Sequence, residues 1–463
     1  MLAGCDLAPP YQRPALAVPP TFPQGPAYPV ADPVAPEVAS VGWRDFFTDT
    51  KLRAVIALGL ANNRDLRVAA AHVLQARAQY RAQRADLFPT LTAEGTGSIR
   101  HSGSGGGSVG SGASGPRDTG GTTHDYAADI GVSSFELDLF GQVRNLTRAA
   151  QDAYFATRAA QNATRISLIA EIASAWLTLA SDRDQLQLSQ RTLASFQQSV
   201  DLTRAQFDKG IASELDVRQA ETNLADARFD VAQLTTRIAQ DQNALDLLVG
   251  TSVGADLLPD GLGTGAFTMA NLPAGVGSAV LLKRPDVVQA EDLLKAQNAN
   301  IGAARAAFFP TISLTAAAGT ASSALTGLFT GGTWSWNASG TSMLTLFDFG
   351  RNRAKLRFAE ASRDAAVATY EKSVQTAFRE VSDALAQRGT IDEQVNARVM
   401  KADSAGVAAR LSEARYRNGI DGFLTTLVAQ RTLYSAEQAL VTTRLARETN
   451  LVSLYSVLGG GIS

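Results

Sequence analysis

The sequence is written twice, and that repeat limits the possible folds more than any other feature. Asp65 to Pro89, ending Ala85-Asp86-Leu87-Phe88-Pro89-Thr90-Leu91, matches Asp286 to Pro310, ending Ala307-Phe308-Phe309-Pro310-Thr311-Ile312, at an offset of 221. Leu137-Asp138-Leu139-Phe140-Gly141 then matches Leu346-Phe347-Asp348-Phe349-Gly350 at an offset of 209. The same offset carries Phe207-Asp208-Lys209-Gly210-Ile211 onto Tyr416-Arg417-Asn418-Gly419-Ile420, and Leu215, Ala220, Leu245 and Gly250 onto Leu424, Ala429, Leu454 and Gly459. The drop of 12 lies in one hairpin. Each half therefore reads as helix, strand, loop, strand, long helix, tight turn, helix.

The strands show the period of two expected of a sheet with unlike faces. In the second half Ile312, Leu314, Ala316 and Ala318 alternate with Thr311, Ser313, Thr315 and Ala317. Trp334, Trp336, Ala338, Leu344 and Leu346 alternate with Ser335, Asn337, Ser339 and Thr345. The first half repeats this with Leu91, Ala93, Ile99, Ile130 and Val132 against Thr92, Glu94, Ser98, Arg100, Asp129 and Ser133. About eight strands is the minimum for an outer-membrane barrel, so four per chain require several chains if the apolar face meets lipid, and three chains supply twelve. Gly103 to Gly115 reads as a flexible loop, and Phe329, Trp334 and Trp336 as part of an interfacial aromatic girdle.

Gly141 to Lys209 and Gly350 to Asn418 contain no proline. As helices at 1.5 Å per residue each spans about 100 Å. Ile166, Ile169, Ala173, Trp176 and Leu177 recur at spacings of three and four, as lateral packing requires. Gly210 and Gly419 mark tight helix reversals, where a left-handed residue is needed.

Composition removes several classes of function. The net charge of −2, from 42 basic and 44 acidic residues interspersed along the chain, leaves no footprint for nucleic acid. Three histidines (His72, His101, His124) and the single Cys5 supply neither a zinc cluster nor a disulfide framework, so no metal or redox cofactor is expected. Asp348-Phe349-Gly350 spells a kinase metal-binding triplet but lacks its catalytic loop, and reads as a strand-to-helix joint. The glycine run from Gly103 lacks the Gly-Lys-Ser/Thr ending of a phosphate cradle. No run of eighteen apolar residues marks a membrane-crossing helix.

At the start, Leu2-Ala3-Gly4-Cys5 resembles a bacterial lipobox, and Pro-rich sequence from Ala8 to Pro36 follows as a tether. Acylation, as by palmitate, is expected at Cys5. Asp6, directly after it, departs from the common lipoprotein pattern, because in enteric bacteria an aspartate there favours retention in the inner membrane.

Taken together, Trp43-Arg44-Asp45-Phe46-Phe47, Asn63-Arg64-Asp65-Leu66, the repeated Phe-Pro-Thr, Phe135 to Gly141, Tyr416 to Asp421 and Leu454 to Gly461 resemble the TolC superfamily, specifically the lipidated outer-membrane factors of resistance-nodulation-division (RND) efflux systems. The resemblance implies a mainly α fold with a membrane β-barrel: a homotrimer with a twelve-stranded barrel on a twelve-helix tunnel. Its implied partners are outer-membrane lipid, a periplasmic adaptor protein and an inner-membrane RND pump. The implied role is passive export, with type I protein secretion or a periplasmic coiled-coil scaffold as alternatives. The expected organisation is a tether at 1–40, an equatorial segment at 41–64, a first repeat at 65–254, a linker at 255–283 and a second repeat at 284–463. Within the repeats the hairpins fall at 90–140 and 310–349, the long helices at 141–209 and 350–418, and the returning helices at 213–249 and 422–458.

The resemblance also implies an adaptor-docking surface on the turns, at Gly210, Ile211, Ala212, Ser213, Gly419 and Ile420, and a periplasmic gate there. Asp421 is its acidic position, with Arg415 and Arg417 as pairing cations and Ile420 and Phe423 as apolar closure; a helix N-cap role for Asp421 is the alternative. Thr425 and Val428 stand where some relatives carry acidic rings. Ser213 with Asp216 has the spacing of a capping box.

Overall fold

The computed structural model describes residues 6–29, 41–101, 121–263, 267–269 and 277–461. Cys5 and the loop from Gly103 to Gly115 lie outside the described residues. Two short helices come first, α1 (Trp43–Phe46) and α2 (Thr50–Asn62), followed by α3 (Arg64–Ala85), β1 (Leu91–His101) and β2 (Thr122–Glu136). The long helix α4 (Gln142–Asp208) and α5 (Glu214–Val249) complete the first half. The second half repeats the order as α6 (Pro285–Ala306), β3 (Thr311–Ser322), β4 (Trp334–Met343), α7 (Arg351–Arg417) and α8 (Phe423–Val457). Both long helices have 67 residues.

Two compact units share the chain. The first comprises Met1–Arg13, Gln75–Tyr154 and Asp292–Val367; the second comprises Pro14–Leu74, Phe155–Glu291 and Ala368–Ser463.

The first unit holds one antiparallel sheet in the order β1-β2-β3-β4, so the two repeats meet at β2 and β3. The register settles its faces. Ala93, Ile130, Ala318 and Trp336 pair in one row across all four strands, and Leu91, Val132, Ala316 and Ala338 in another. Alternating with them, Glu94, Asp129, Gly319 and Ser335 form a row on the opposite face. One face is thus mainly apolar on every strand, interrupted by His124, Thr320, Ser322 and Ser342, and the exposed Trp334 and Trp336 lie on it. A bulge between Val132 and Phe135, with Ser134 at φ 56°, keeps both residues on that face although they are three apart. The outer edges of β1 and β4 have no strand partner among the described residues, a state that proteins normally cover or close. Asp138 and Asp348 accept backbone N–H groups at the starts of α4 and α7, from Val143 and Arg144 and from Gly350 and Asn352 respectively. The Asp348-Phe349-Gly350 triplet is therefore a strand-to-helix joint.

In the second unit a buried aromatic cluster forms where the end of α1 meets the last residues of α8. Phe46 stacks on Tyr455 at 4.5 Å between ring centroids, and Phe47 meets both rings edge-on. Gly461 donates its N–H to the Val41 carbonyl at 3.0 Å, and the Tyr455 hydroxyl donates to the Gly461 carbonyl at 3.0 Å. Phe47 bridges to Thr268, and the Trp176 indole N–H donates to the Leu257 carbonyl, so the linker packs on the same core. α4 does contain one 18-residue window apolar enough to cross a membrane by composition, contrary to expectation from the sequence; half of that window is buried within the chain. Ile169, Ile172, Ala173, Trp176 and Leu177 are among the buried residues of α4, so core packing accounts for much of its apolar character.

The Pro-rich segment differs from the expected tether. Over the described residues it is packed against the body of the chain. Ser278 donates its N–H to the Pro20 carbonyl at 2.9 Å, Thr21 bridges to Gly277, and Phe22 stacks on Phe378 at 5.0 Å. Gly389, inside α7, lets the segment through: a Cβ there would stand 2.3 Å from the Ala27 carbonyl oxygen. Gly389→Ala should therefore lower stability by about 1 kcal/mol despite its better helix propensity, because a backbone clash outweighs the propensity gain. Hydrogen exchange at Tyr28, whose N–H is bonded to Gly25, should rise with it. A variant more stable than the parent would show that the segment is not seated there.

Candidate aperture at the helix turns

The two turns joining α4 to α5 and α7 to α8 close in the same way. Gly210 (φ 72°) and Gly419 (φ 67°) take the left-handed conformation. Gly210 donates to the Phe207 carbonyl and Ile211 to that of Gln206; Gly419 donates to the Tyr416 carbonyl and Ile420 to that of Arg415. Each is a Schellman ending that satisfies carbonyls the helix leaves free.

Beyond the glycine the halves diverge. Ser213 and Asp216 close a capping box at the start of α5, with Asp216 N–H donating to Ser213 Oγ at 3.2 Å and Ser213 N–H to Asp216 Oδ2 at 3.0 Å. Their counterparts are Gly422 and Thr425, and α8 starts from Gly422 with no side-chain cap. Asp421 does not take over that role. Its carboxylate receives Arg415 Nε at 2.5 Å and Nη2 at 2.9 Å, a two-pronged pair between the last turn of α7 and the loop. The equivalents of these two residues in the first half are Gln206 and Ala212, so this pair belongs to the second turn alone. The hydrogen bonds and charge of Arg415 hold the Asp421 carboxyl below the usual carboxylate range. As pH falls through that lowered value the pair is lost, so it is intact throughout neutral and mildly acidic conditions. Arg417 pairs instead with Glu413 along α7.

The structure corrects the placement of Phe423. Expected as apolar closure, it is 5% exposed and packs with Phe196, Val200, Ala220, Leu224, Ala227 and Leu427 in a core shared by α4, α5 and α8. Its position, first in α8 and facing the neighbouring helices, leaves none of it to line a passage. Ile420 and Ile211 remain outside, 61% and 72% exposed, and Leu424 and Leu215 repeat the pattern one helical turn on. Ala212 lies between Ile211 and Ser213 in the first turn.

One connection had no clear sequence signal. The Tyr416 hydroxyl donates to Gln206 Oε1, tying the end of α7 to the end of α4, while its ring leans on Phe423 at 5.3 Å. The clue was the repeat itself, since the counterpart of Tyr416 is Phe207, which has no hydroxyl. Further along the same helices Tyr434 of α8 joins Ser189 of α4 and Asp230 of α5 through 2.7 Å hydrogen bonds. Burial, the first cause, pushes the Tyr434 hydroxyl up to about 12. His101 bonds Thr122 and His124 stacks on Tyr126, each within the sheet.

A duplicated pair of long helices carrying a sheet with one apolar face matches a known family in both halves: the outer membrane efflux protein profile aligns with residues 55–251 and 276–460. The chain belongs to the outer membrane efflux protein family. A probable efflux pump outer membrane protein, TtgC of Pseudomonas putida, is 45% identical over 461 residues, covering 100% of this chain and 93% of its own. The crystal structure of a membrane protein from Pseudomonas aeruginosa superposes with a TM-score of 0.91 at 38% identity, covering 99% of this chain and 98% of that one. The open-state MtrE outer membrane channel of Neisseria gonorrhoeae gives 0.88 at 36% identity, covering 99% of each chain. The fold of this efflux protein is TolC-like, and its place is the outer membrane.

Proposed function

We propose that this efflux protein acts as a trimeric exit duct of an RND-type tripartite pump, passing drugs or other small solutes outward without catalysing any reaction. The observation that carries the reading is the four-stranded sheet, with one face mainly apolar and with both edges unpaired among the described residues, in a chain of the efflux family. Three such sheets joined edge to edge make a closed barrel of twelve strands. In that arrangement the polar face lines the bore and the apolar face meets lipid. Light scattering in detergent should return three protomers per particle, and a monomer with a closed barrel would refute the arrangement.

The turns are the adaptor-docking surface, with Gly210, Ile211, Ala212 and Ser213 from one turn and Gly419 and Ile420 from the other. Exposed Ile211, Leu215, Ile420 and Leu424 supply paired apolar contacts for a periplasmic adaptor that joins the duct to its inner-membrane pump. Efflux is favoured over protein secretion by the efflux-pump name of the relative TtgC. Cys5, with its lipobox, carries an acyl anchor.

Asp421 and Arg415 form the resting latch, with Arg417 beside it and Ile420 as the exposed apolar contact. Their pairing holds the loop against the end of α7 until the adaptor draws the helices apart. In planar bilayers Asp421→Ala should raise the open fraction or conductance of the isolated trimer several-fold without altering its oligomeric state. Unchanged conductance together with a lower thermal midpoint would reduce Asp421 to a purely structural residue.

A further inference from the structure

Residues 6–13 belong to the unit that holds the sheet, and they are gripped more closely than a leash requires. The Asp6 carboxylate accepts from Asn145 Nδ2 at 3.1 Å, from Arg148 Nη1 at 2.9 Å and from the Ala8 N–H at 3.1 Å. The next carbonyls are also taken: Leu7 by Arg305 Nη1 at 3.3 Å and Pro9 by Asn298 Nδ2 at 2.7 Å. Gly302 of α6 makes the room, since a Cβ there would stand 2.6 Å from Asn145 Nδ2 and 2.8 Å from Ala8 Cβ. Helix interiors disfavour glycine, and here its missing side chain makes room for the side chains of Asn145 and Ala8.

The location of this grip gives it meaning. Asn145 and Arg148 lie in the first two turns of α4, just after β2 ends at Glu136, where the chain leaves the sheet. A flexible tether of a few dozen residues would let an acyl chain insert anywhere within a wide radius. A backbone fixed at Asp6 instead confines the attachment point to the base of the sheet. Confinement raises the effective concentration of the anchor where the strands must enter lipid, and a single acyl chain binds membranes only marginally by itself. Burial works against the Asp6 carboxylate, yet the bonds from Ala8, Arg148 and Asn145 and the charge of Arg148 hold it ionised below the usual range.

We propose that Asp6 is a positioning residue, pinned by Asn145 and Arg148 so that a lipid carried on the preceding cysteine enters the membrane at the foot of the strands and assists their insertion. The proposal rests on acylation at Cys5. Its test uses Arg148→Met, which removes the charged contact of the pin and leaves the Asp6 side chain, a sorting determinant in some bacteria, untouched.

Full-length chain with its native export signal is produced in a Gram-negative host, and mass spectrometry of the N-terminal peptide reports acylation. If the parent cysteine is unmodified, the acylation reading fails, and the proposal with it, in a way distinct from the outcomes that follow. With acylation present, Arg148→Met should raise hydrogen exchange in residues 7–13 at least tenfold and cut the yield of heat-resistant trimer in outer-membrane fractions several-fold. The same substitution in a Cys5→Ser background should cost nothing further, because there is no lipid left to position. Loss of yield in both backgrounds would make the pin a local structural contact only, and no loss in either would also overturn the proposal.

Discussion

Arg284→Ala should remove about 3 kcal/mol of stability and sharply reduce the recovery of folded protein. Arg284 is 7% exposed, and its guanidinium is fully engaged. Nε and Nη2 grip Asp286 at 3.0 and 2.6 Å, Nη2 also reaches Glu380 of α7 at 2.8 Å, and Nη1 donates to the Val457 carbonyl at the end of α8 at 2.7 Å. One side chain thus joins the start of α6 to two other helices and satisfies a carbonyl that the end of α8 would otherwise leave unpaired. Alanine leaves two carboxylates facing one another and a helix terminus without its donor. Arg284→Lys should recover little, because an ammonium cannot make the planar contacts to Asp286 and still reach Val457. Thermal midpoints in detergent measure both variants. A midpoint within a degree of the parent for Arg284→Ala would show that the neighbouring packing carries the junction alone.

Asp182→Asn should stabilise the protein at neutral and alkaline pH and remove part of its pH dependence. Asp182 of α4 is buried against Asp241 of α5, and the Oδ2 atoms of both are buried with no hydrogen-bond partner. Arg237 approaches Asp182 only to 3.8 Å. Burial first, and then the charge of Asp241, push the Asp182 carboxyl up to about 6, so the folded protein holds a proton that the unfolded chain releases near 3.8. Below the lower value both states are protonated and nothing is lost. Between the two values stability falls as pH rises, by at most about 1.4 kcal/mol per pH unit, and the full penalty, on the order of 3 kcal/mol, persists above 6. Asparagine carries no charge and donates to the Asp241 carboxylate, so its advantage over the parent should be absent at pH 4 and complete by pH 7. Asp152, also raised to about 6 by burial and then by Asp292, leaves a residual slope in the variant. Parallel profiles for parent and variant across that range would contradict the raised Asp182 carboxyl.

The efflux protein's sequence determined its elements by itself, because the patterns that specify them are local. The two unbroken 67-residue helices follow from long proline-free stretches with helical spacing, and Gly210 and Gly419 end them because only a left-handed residue closes that turn at low cost. The capping box at Ser213 was likewise visible, since its partner lies three residues away. What depended on distant partners was decided only by the tertiary structure. Alternation showed that each strand has an apolar side, but only the register put Ala93, Ile130, Ala318 and Trp336 in one row, and only the bulge at Ser134 kept Phe135 on that side. The Pro-rich segment reads as a tether because proline and glycine have no periodicity, yet Gly389 accepts its backbone at Ala27 and Gly302 its Ala8 side chain, from helices hundreds of residues away. Phe423 sits beside exposed Ile420 in sequence, and it is buried because α4 and α5 offer it a core that no local pattern encodes. Asp421 could cap a helix or pair with a cation; the 2.5 Å approach of Arg415 across the turn chose between them, since a carboxylate gains more from a two-pronged guanidinium than from backbone N–H groups.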